Sequence, residues 1–217
     1  MGIINNTPIT FAPFAPFNML LHKLLERYNL ILASASPRRR QLLSDCGLTF
    51  TLADKFECDE TFDSSMPCNN VAEYLSTLKS NAYPKSLAQN DILLTADTVV
   101  IAGNRILGKP ADRAEAIEML TMLSSKSHTV ITGVTIRTAE RTHSFSVASA
   151  VTFRDITTEE IEYYVDTYKP FDKAGAYGIQ EWIGYVAIES IEGSFFNVMG
   201  LPVQRLYIEL MKVIESL

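Results

Sequence analysis

The stretch Leu30-Ile31-Leu32-Ala33-Ser34-Ala35-Ser36-Pro37-Arg38-Arg39-Arg40 carries a strand end, a turn and a helix start without a break. Residues 30–33 are apolar and of strand length. Pro37 fixes φ at a helical value, and its missing N–H costs nothing at the first helical position, so a helix is predicted over 37–45 with Ser36 as N-cap and Gly47 as its stop. Backbone amides point out of such a turn. Three arginines then crowd the first helical turn, the unfavourable end of the macrodipole for cations. A bound anion at the amide-rich terminus relieves that repulsion, and a polyphosphate fits. Solvated arginines, or arginines paired with surface acids, are the competing reading.

Working outward, strand-length apolar runs alternate with helical patterns. The sequence predicts strands over 48–52, 92–101, 130–137 and 142–153, with 182–189 strand-like. It predicts helices over 71–82, 112–123 (Asp112 as N-cap, Glu115 three residues on), 158–167 and 203–214, with Pro202 near the last start. Residues 172–180 form a Gly-rich segment and 193–202 a loop. The expected fold is α/β: a twisted mixed β-sheet flanked by helices and creased into two lobes. Upstream, 19–28 reads as a short amphipathic helix. Residues 1–18 lack a basic n-region and hold three prolines, so they read as a poorly ordered leader rather than a signal peptide. The expected organisation is one catalytic domain over 19–217 with a cleft between the lobes.

Composition narrows the classes. The 217 residues are 47% hydrophobic and 20% charged, ordinary for a globular chain. Lys plus Arg number 19 against 25 Asp plus Glu, a formal net charge of −6, which disfavours a protein that coats a nucleic-acid polymer. Cys46, Cys58 and Cys68 are odd in number and lack a CxxC pair, so they read as reduced cytoplasmic thiols. No run of 18 apolar residues is present to span a membrane. The P-loop, GxGxxG, HExxH and GxSxG motifs are absent, and none of the three histidines stands near a Ser or Cys motif.

Among candidate residues, Asp97 is the most exposed to argument. It sits inside an apolar strand run, where a carboxylate must be hydrogen-bonded, paired or metal-bound. Asp59 and Glu60 form an acidic loop able to offer oxygens to a hard cation. Lys79 falls about 80° from Val71 at the edge of the expected buried stripe Val71, Leu75, Leu78 and Ala82, where a lysine can snorkel to solvent. Lys109 is held extended by Pro110 just ahead of a helix. The 172–180 segment combines small residues with polar ends that could read a base or sugar. A carboxylate-plus-metal site ringed by Arg and Lys suits attack of water on a phosphoanhydride.

These residues resemble a known family. The motifs Leu32-Ala33-Ser34-Ala35-Ser36-Pro37-Arg38-Arg39, Ala96-Asp97-Thr98-Val99-Val100, Leu107-Gly108-Lys109-Pro110, Asp172-Lys173-Ala174-Gly175-Ala176-Tyr177-Gly178-Ile179-Gln180 and Val198-Met199-Gly200-Leu201-Pro202 are similar, in order, to those of the Maf family of nucleotide pyrophosphatases. The resemblance implies the fold shared with inosine triphosphate pyrophosphatases and a cytoplasmic enzyme that splits a nucleoside triphosphate into monophosphate and pyrophosphate with Mg²⁺ or Mn²⁺. It points to the dTTP/UTP branch, whose specificity positions match Arg38, Thr98 and Gln180. Asp97 matches the family's proton acceptor, and Glu60, Lys79 and Lys109 match its polar site residues. Expected roles follow: Ser34, Arg38 and Arg39 bind phosphates, Lys79 and Lys109 offset charge on the leaving group, and Glu60 with Asp97 holds the metal. A small-molecule nucleotide is the expected partner, with no polymer and no membrane, and a homodimer is the family's expected assembly. Alternatives are a pyrophosphatase for other or modified nucleotides and a nucleotide-binding regulator of cell division. Two departures stand out: a short acidic loop, Asp59-Glu60-Thr61-Phe62, and Glu181-Trp182 where small residues are common.

Overall fold

A computed structural model describes residues 20–217, so the leader expected at 1–18 lies outside the described residues. In chain order the elements are α1 (Leu21–Leu25), β1 (Asn29–Leu32), α2 (Pro37–Asp45), β2 (Thr51–Leu52), α3 (Cys68–Ala82), β3 (Asp91–Ala102), β4 (Arg105–Leu107), α4 (Arg113–Leu123), β5 (Ser127–Arg137) and β6 (Thr142–Phe153). They continue with α5 (Thr158–Tyr168), a 3₁₀ turn at Ala174–Ala176, α6 (Trp182–Ala187), β7 (Ile188–Glu192), α7 (Phe195–Met199) and α8 (Val203–Glu215). The strands make one mixed sheet in the order β2-β1-β3-β5-β6-β7, with β4 folded back on β3.

The edge of β3 positions everything that follows. On one side β5 pairs with it continuously, from Leu93 opposite Arg137 to Ile101 opposite Thr129. On the other, β1 pairs in parallel only as far as Leu32 opposite Leu94, and β4 begins only at Val100 opposite Leu107. Between them, residues 95–99 have no neighbouring strand, because β1 ends and its chain peels off into the Ser34–Ser36 turn and α2. A crevice at the carboxyl end of a strand where the chain departs is the usual ligand position of an α/β sheet.

Alternation along β3 decides what each face receives. Val99 and Ile101 pack with Val71, Ala72 and Leu75 of α3 and with Ile131. Leu94, Ala96 and Val100 turn to the opposite face, into the main core that α1, α2, α4, α5 and α8 cover. Helix α3 lies against the sheet backbone itself: a Cβ added at Gly133 would stand 2.2 Å from the Ala72 carbonyl oxygen, so only glycine admits this approach. The buried face of α3 comprises Val71, Ala72, Leu75, Ser76 and Ser80. It is therefore turned from the expected stripe, and Lys79 lies at its middle rather than its edge.

Local chemistry accounts for the other elements. Asp112 caps α4 by accepting from the Glu115 N–H, and Thr157 with Glu160 forms a capping box on α5. Three expectations are corrected. Residues 182–187 are a helix, not a strand, and pairing begins at Ile188; a short apolar run has no period to separate the two states. The expected loop 193–202 contains α7, whose N–H of Asn197 is capped by the Ser194 hydroxyl. Of the strand expected over 48–52, only Thr51–Leu52 pairs.

Candidate active site

Asp97 occupies the strand-free stretch of β3 on the α3 face. Its Oδ1 accepts from Lys79 Nζ at 2.5 Å, and the same Nζ lies 3.0 Å from Glu60 Oε2. The Lys79 and Asp97 side chains are only 16% and 13% exposed, while Glu60, in the loop before α3, is 46% exposed. Thus the lysine that helical periodicity placed at a solvent-reaching margin is held between two carboxylates, the compensation that a buried charge requires.

Thr98, one residue on, faces the other way. Its Oγ1 accepts from Arg39 Nη2 at 3.0 Å and lies 2.9 Å from Thr132 Oγ1, which in turn donates to the Asn197 carbonyl. Arg39 also donates through Nη1 to Ser34 Oγ at 3.3 Å and to the Ala96 carbonyl at 2.8 Å, and through Nε to the Gly200 carbonyl at 2.8 Å. The Ala96 carbonyl lies in the interval between β1 and β4 and finds its partner in a side chain. Burial pushes the Arg39 guanidinium below its usual pKa, with Asp97 opposing and Arg38 adding to the fall; it stays charged all the same. Four protein acceptors use most of its donor fork, so Arg39 ties α2, β3 and the α7 turn together. Ser36 does not cap α2 with its side chain. Ser34 Oγ instead accepts from the Ser36 N–H.

Arg38, about 100° around the helix, points elsewhere: its Nη1 meets Asp172 Oδ2 at 3.2 Å. Asp172 opens the Gly-rich turn. That turn is fixed by Lys173, which pairs with Glu181 at 3.0 Å, and by the Tyr164 hydroxyl, which donates to Glu181 and accepts from the Gly178 N–H. Gln180 lies at its end, its Oε1 buried and without a hydrogen-bond partner among the described residues. Lys109 is exposed beside this turn, joined to it by the Gly175 N–H to Gly108 carbonyl bond. The predicted residues therefore fall into three groups: Asp97, Lys79 and Glu60; Ser34, Arg39 and Thr98; and Arg38, Gln180 and Lys109 around the Gly-rich turn.

Sequence reading passed over Thr132 and Asn197, and took Glu181 only as a departure from the family pattern. The signal was the polarity of each within an apolar neighbourhood, since a buried amide or hydroxyl must find partners. Among the described residues no three His, Cys, Asp or Glu side chains converge on a metal position. Two carboxylates on one side of a phosphate cleft nonetheless suit Mg²⁺, which takes one or two acids and fills its shell with water and phosphate oxygens. Among the described residues no helix is long and apolar enough to cross a membrane.

Comparison with known proteins places this arrangement. A family model described as Maf-like protein matches residues 29–213. The dTTP/UTP pyrophosphatase of Bacteroides thetaiotaomicron is 48% identical over 189 residues, covering 87% of this chain and 98% of that protein. That of Parabacteroides distasonis is 50% identical over 186 residues, covering 86% and 96%. Among solved structures, a HAM1 protein from Coxiella burnetii aligns loosely, with 14% identity, a TM-score of 0.43 and coverage of 85% of this chain and 99% of that one. With the family match running from β1 into α8, and relatives aligned over nearly their whole length, the chain belongs to the Maf-like protein family.

Proposed function

We propose that this protein hydrolyses dTTP and UTP to the nucleoside monophosphate and pyrophosphate. The observation that carries the reading is the placement of Asp97, mostly buried and lysine-paired, in the part of the β3 edge that strands of the described residues leave uncovered between β1 and β4. The substrate branch is supported by relatives that share nearly half their residues with this chain and bear the name dTTP/UTP pyrophosphatase.

The chain's own groups divide the work. The amides after Ser34 and the Arg38 guanidinium receive phosphate oxygens at the start of α2. Asp97, with Oδ1 tied to Lys79, takes the proton of the attacking water on Oδ2 as the oxygen–phosphorus bond forms and the bond to the departing pyrophosphate breaks. Lys79 and Lys109 offset the charge that gathers on the leaving group. Glu60, and Asp97 where it serves as a ligand instead of the base, would hold Mg²⁺ or Mn²⁺, which when bound supplies charge neutralisation at the phosphates and makes water more acidic. Arg39 keeps Ser34, Thr98 and Gly200 in register instead of meeting the phosphates directly. The reading takes a small nucleotide as partner, the cytoplasm as the place of work, in keeping with free Cys46, Cys58 and Cys68, and a homodimer as the assembly.

The test is pyrophosphate release from dTTP, UTP, CTP, GTP, 7-methyl-GTP and ITP, with Mg²⁺, Mn²⁺ or a chelator, beside Asp97→Asn. Metal-dependent release led by dTTP and UTP is expected, with turnover of the variant lower by about 10² or more and its melting temperature little changed. Folded protein that releases nothing from any nucleotide would overturn the reading, and an Asp97→Asn variant at the parent rate would remove Asp97 from the chemistry.

A further inference from the structure

The seat of α3 on the sheet changes character along its length. Towards the N-terminus the contact is apolar, with Val71, Ala72 and Leu75 against Val99, Ile101 and Ile131. One turn before Lys79 it is made of hydroxyls. Thr95 of β3, Thr135 of β5 and Ser144 of β6 meet Ser76 and Thr77 of the helix, and Ser76, Thr95 and Thr135 are fully buried. Valine has the shape of threonine without the desolvation cost of the hydroxyl, so packing alone does not call for this polarity.

The direction of these bonds follows from the protons available. Ser76 Oγ donates to the Glu73 carbonyl at 2.8 Å and Thr77 Oγ1 to the same carbonyl at 3.0 Å, so each has only lone pairs left for the sheet. Thr135 Oγ1, 2.9 Å from Ser76 Oγ, and Ser144 Oγ, 3.0 Å from Thr77 Oγ1, therefore donate into the helix. Thr95 Oγ1 donates to the Ser76 carbonyl at 2.7 Å. Three strands thus each send a directed bond to two consecutive residues of α3, where apolar contact, which has no direction, leaves a helix free to slide and roll. Thr95 precedes Asp97 by two residues on one face of β3, and Ser76 precedes Lys79 by about one turn, so the bonds lie directly behind the ion pair. Thr77 stands about 160° around the helix from Lys79, and its bonds resist a roll that would lift the lysine from Asp97. We propose that Thr135, with Thr95 and Ser144 beside it, is a positioning residue that fixes the register of α3 and thereby holds Lys79 on Asp97. Its effect on turnover rests on the pyrophosphatase reading.

Parent, Thr135→Val and Thr135→Ser proteins, each with and without Lys79→Met, are compared for kcat and KM of pyrophosphate release from dTTP and UTP. Lys79 itself is followed by its rate of reductive methylation with formaldehyde and a borane, read by mass spectrometry, which needs no turnover. Thr135→Val is expected to lower kcat about tenfold with KM within about twofold, and to speed methylation of Lys79 several-fold. Thr135→Ser keeps the donor and is expected to match the parent in both. In the Lys79→Met background the valine is expected to cost nothing further, since the residue it acts through is gone. A Thr135→Val protein at the parent kcat, or a loss of the same size with and without Lys79, would overturn the proposal. So would a fall in melting temperature with Lys79 methylation unchanged, which would make the hydroxyls a matter of stability alone. If Thr135→Val does not fold, Ser144→Ala carries the same comparison, with an expected loss of about threefold in kcat. A parent that releases no pyrophosphate sinks the pyrophosphatase reading alone, since the methylation rates still decide whether the hydroxyls hold Lys79.

Discussion

Lys79 lies between Asp97 and Glu60, the place that the proposed divalent cation would share, so in the free protein the lysine would compete with such a metal for the same two carboxylates. Removing the ammonium leaves two acids facing each other with only the more distant Arg39 guanidinium as counter-charge. Lys79→Met is therefore expected to bind Mn²⁺ about tenfold more tightly without nucleotide, measured by calorimetry, and to lose most pyrophosphate release. Its melting temperature should fall, because a buried carboxylate has lost its partner, and should be restored by Mn²⁺ more than the parent's is raised. Equal Mn²⁺ affinity in the two proteins would show that Lys79 does not screen the acids. Asp97 and the arginine cluster were legible as site candidates from sequence, because a carboxylate in an apolar strand and cations at a helix start both demand a partner, whereas Thr98 entered only through the family resemblance. What sequence treated as equivalent, structure separates: Arg38 and Arg39 are neighbours in the chain, yet one meets Asp172 and the other donates to four acceptors.

At the scale of elements, α3 delivers Lys79 only because it lies directly on β5, and the contact that allows this is Gly133 against the Ala72 carbonyl. A methyl group there meets backbone rather than a side chain that could swing aside. Gly133→Ala is expected to cost about 2–3 kcal/mol and several degrees of melting temperature, and to lower turnover further than an equally destabilising change elsewhere, because Lys79 moves with the helix. Gly108→Ala is the companion: an added Cβ meets nothing within 4 Å, and stability should stay within about 0.5 kcal/mol. Thermal melts of both, with turnover measured well below the transition, check the pair; matching stabilities would mean that α3 can lift without cost. Long periodic elements such as α4, α5 and α8 were readable because caps and amphipathic stripes agree. The turn-length helices α6 and α7 were not, since five or six residues cannot show a 3.6-residue period; what marks them in the structure is local, Gly184 against the Ile179 carbonyl and the Ser194 cap on Asn197.

Across the whole molecule, the sheet and the Gly-rich turn are joined through one buried imidazole. His128 of β5 is 3% exposed, edge-on to Phe153 and Tyr177 at 5.0 and 5.5 Å, with Nε2 2.8 Å from the Tyr177 hydroxyl. That the turn following α5 returns to pack on β5 was not readable from sequence, where none of the three histidines stood near a Ser or Cys motif. Burial lowers its pKa from 6.5 to about 4, so the folded protein keeps it neutral where the unfolded chain takes up a proton. Its contribution to stability is therefore complete above about pH 6.5 and is lost progressively as pH falls towards 4, with a slope of at most about 1.4 kcal/mol per pH unit. His128→Phe removes this titration but also leaves the Tyr177 hydroxyl without its partner, a loss that does not vary over the range because burial pushes the tyrosine pKa upwards, far from these values. Urea midpoints between pH 7 and 4.5 should then show the parent's advantage over His128→Phe narrowing as the solution is acidified, and reversing if the slope exceeds the fixed hydrogen-bond loss. A difference that stays constant with pH would mean that the imidazole gains its proton as readily folded as unfolded, and that the core around Tyr177 admits charge.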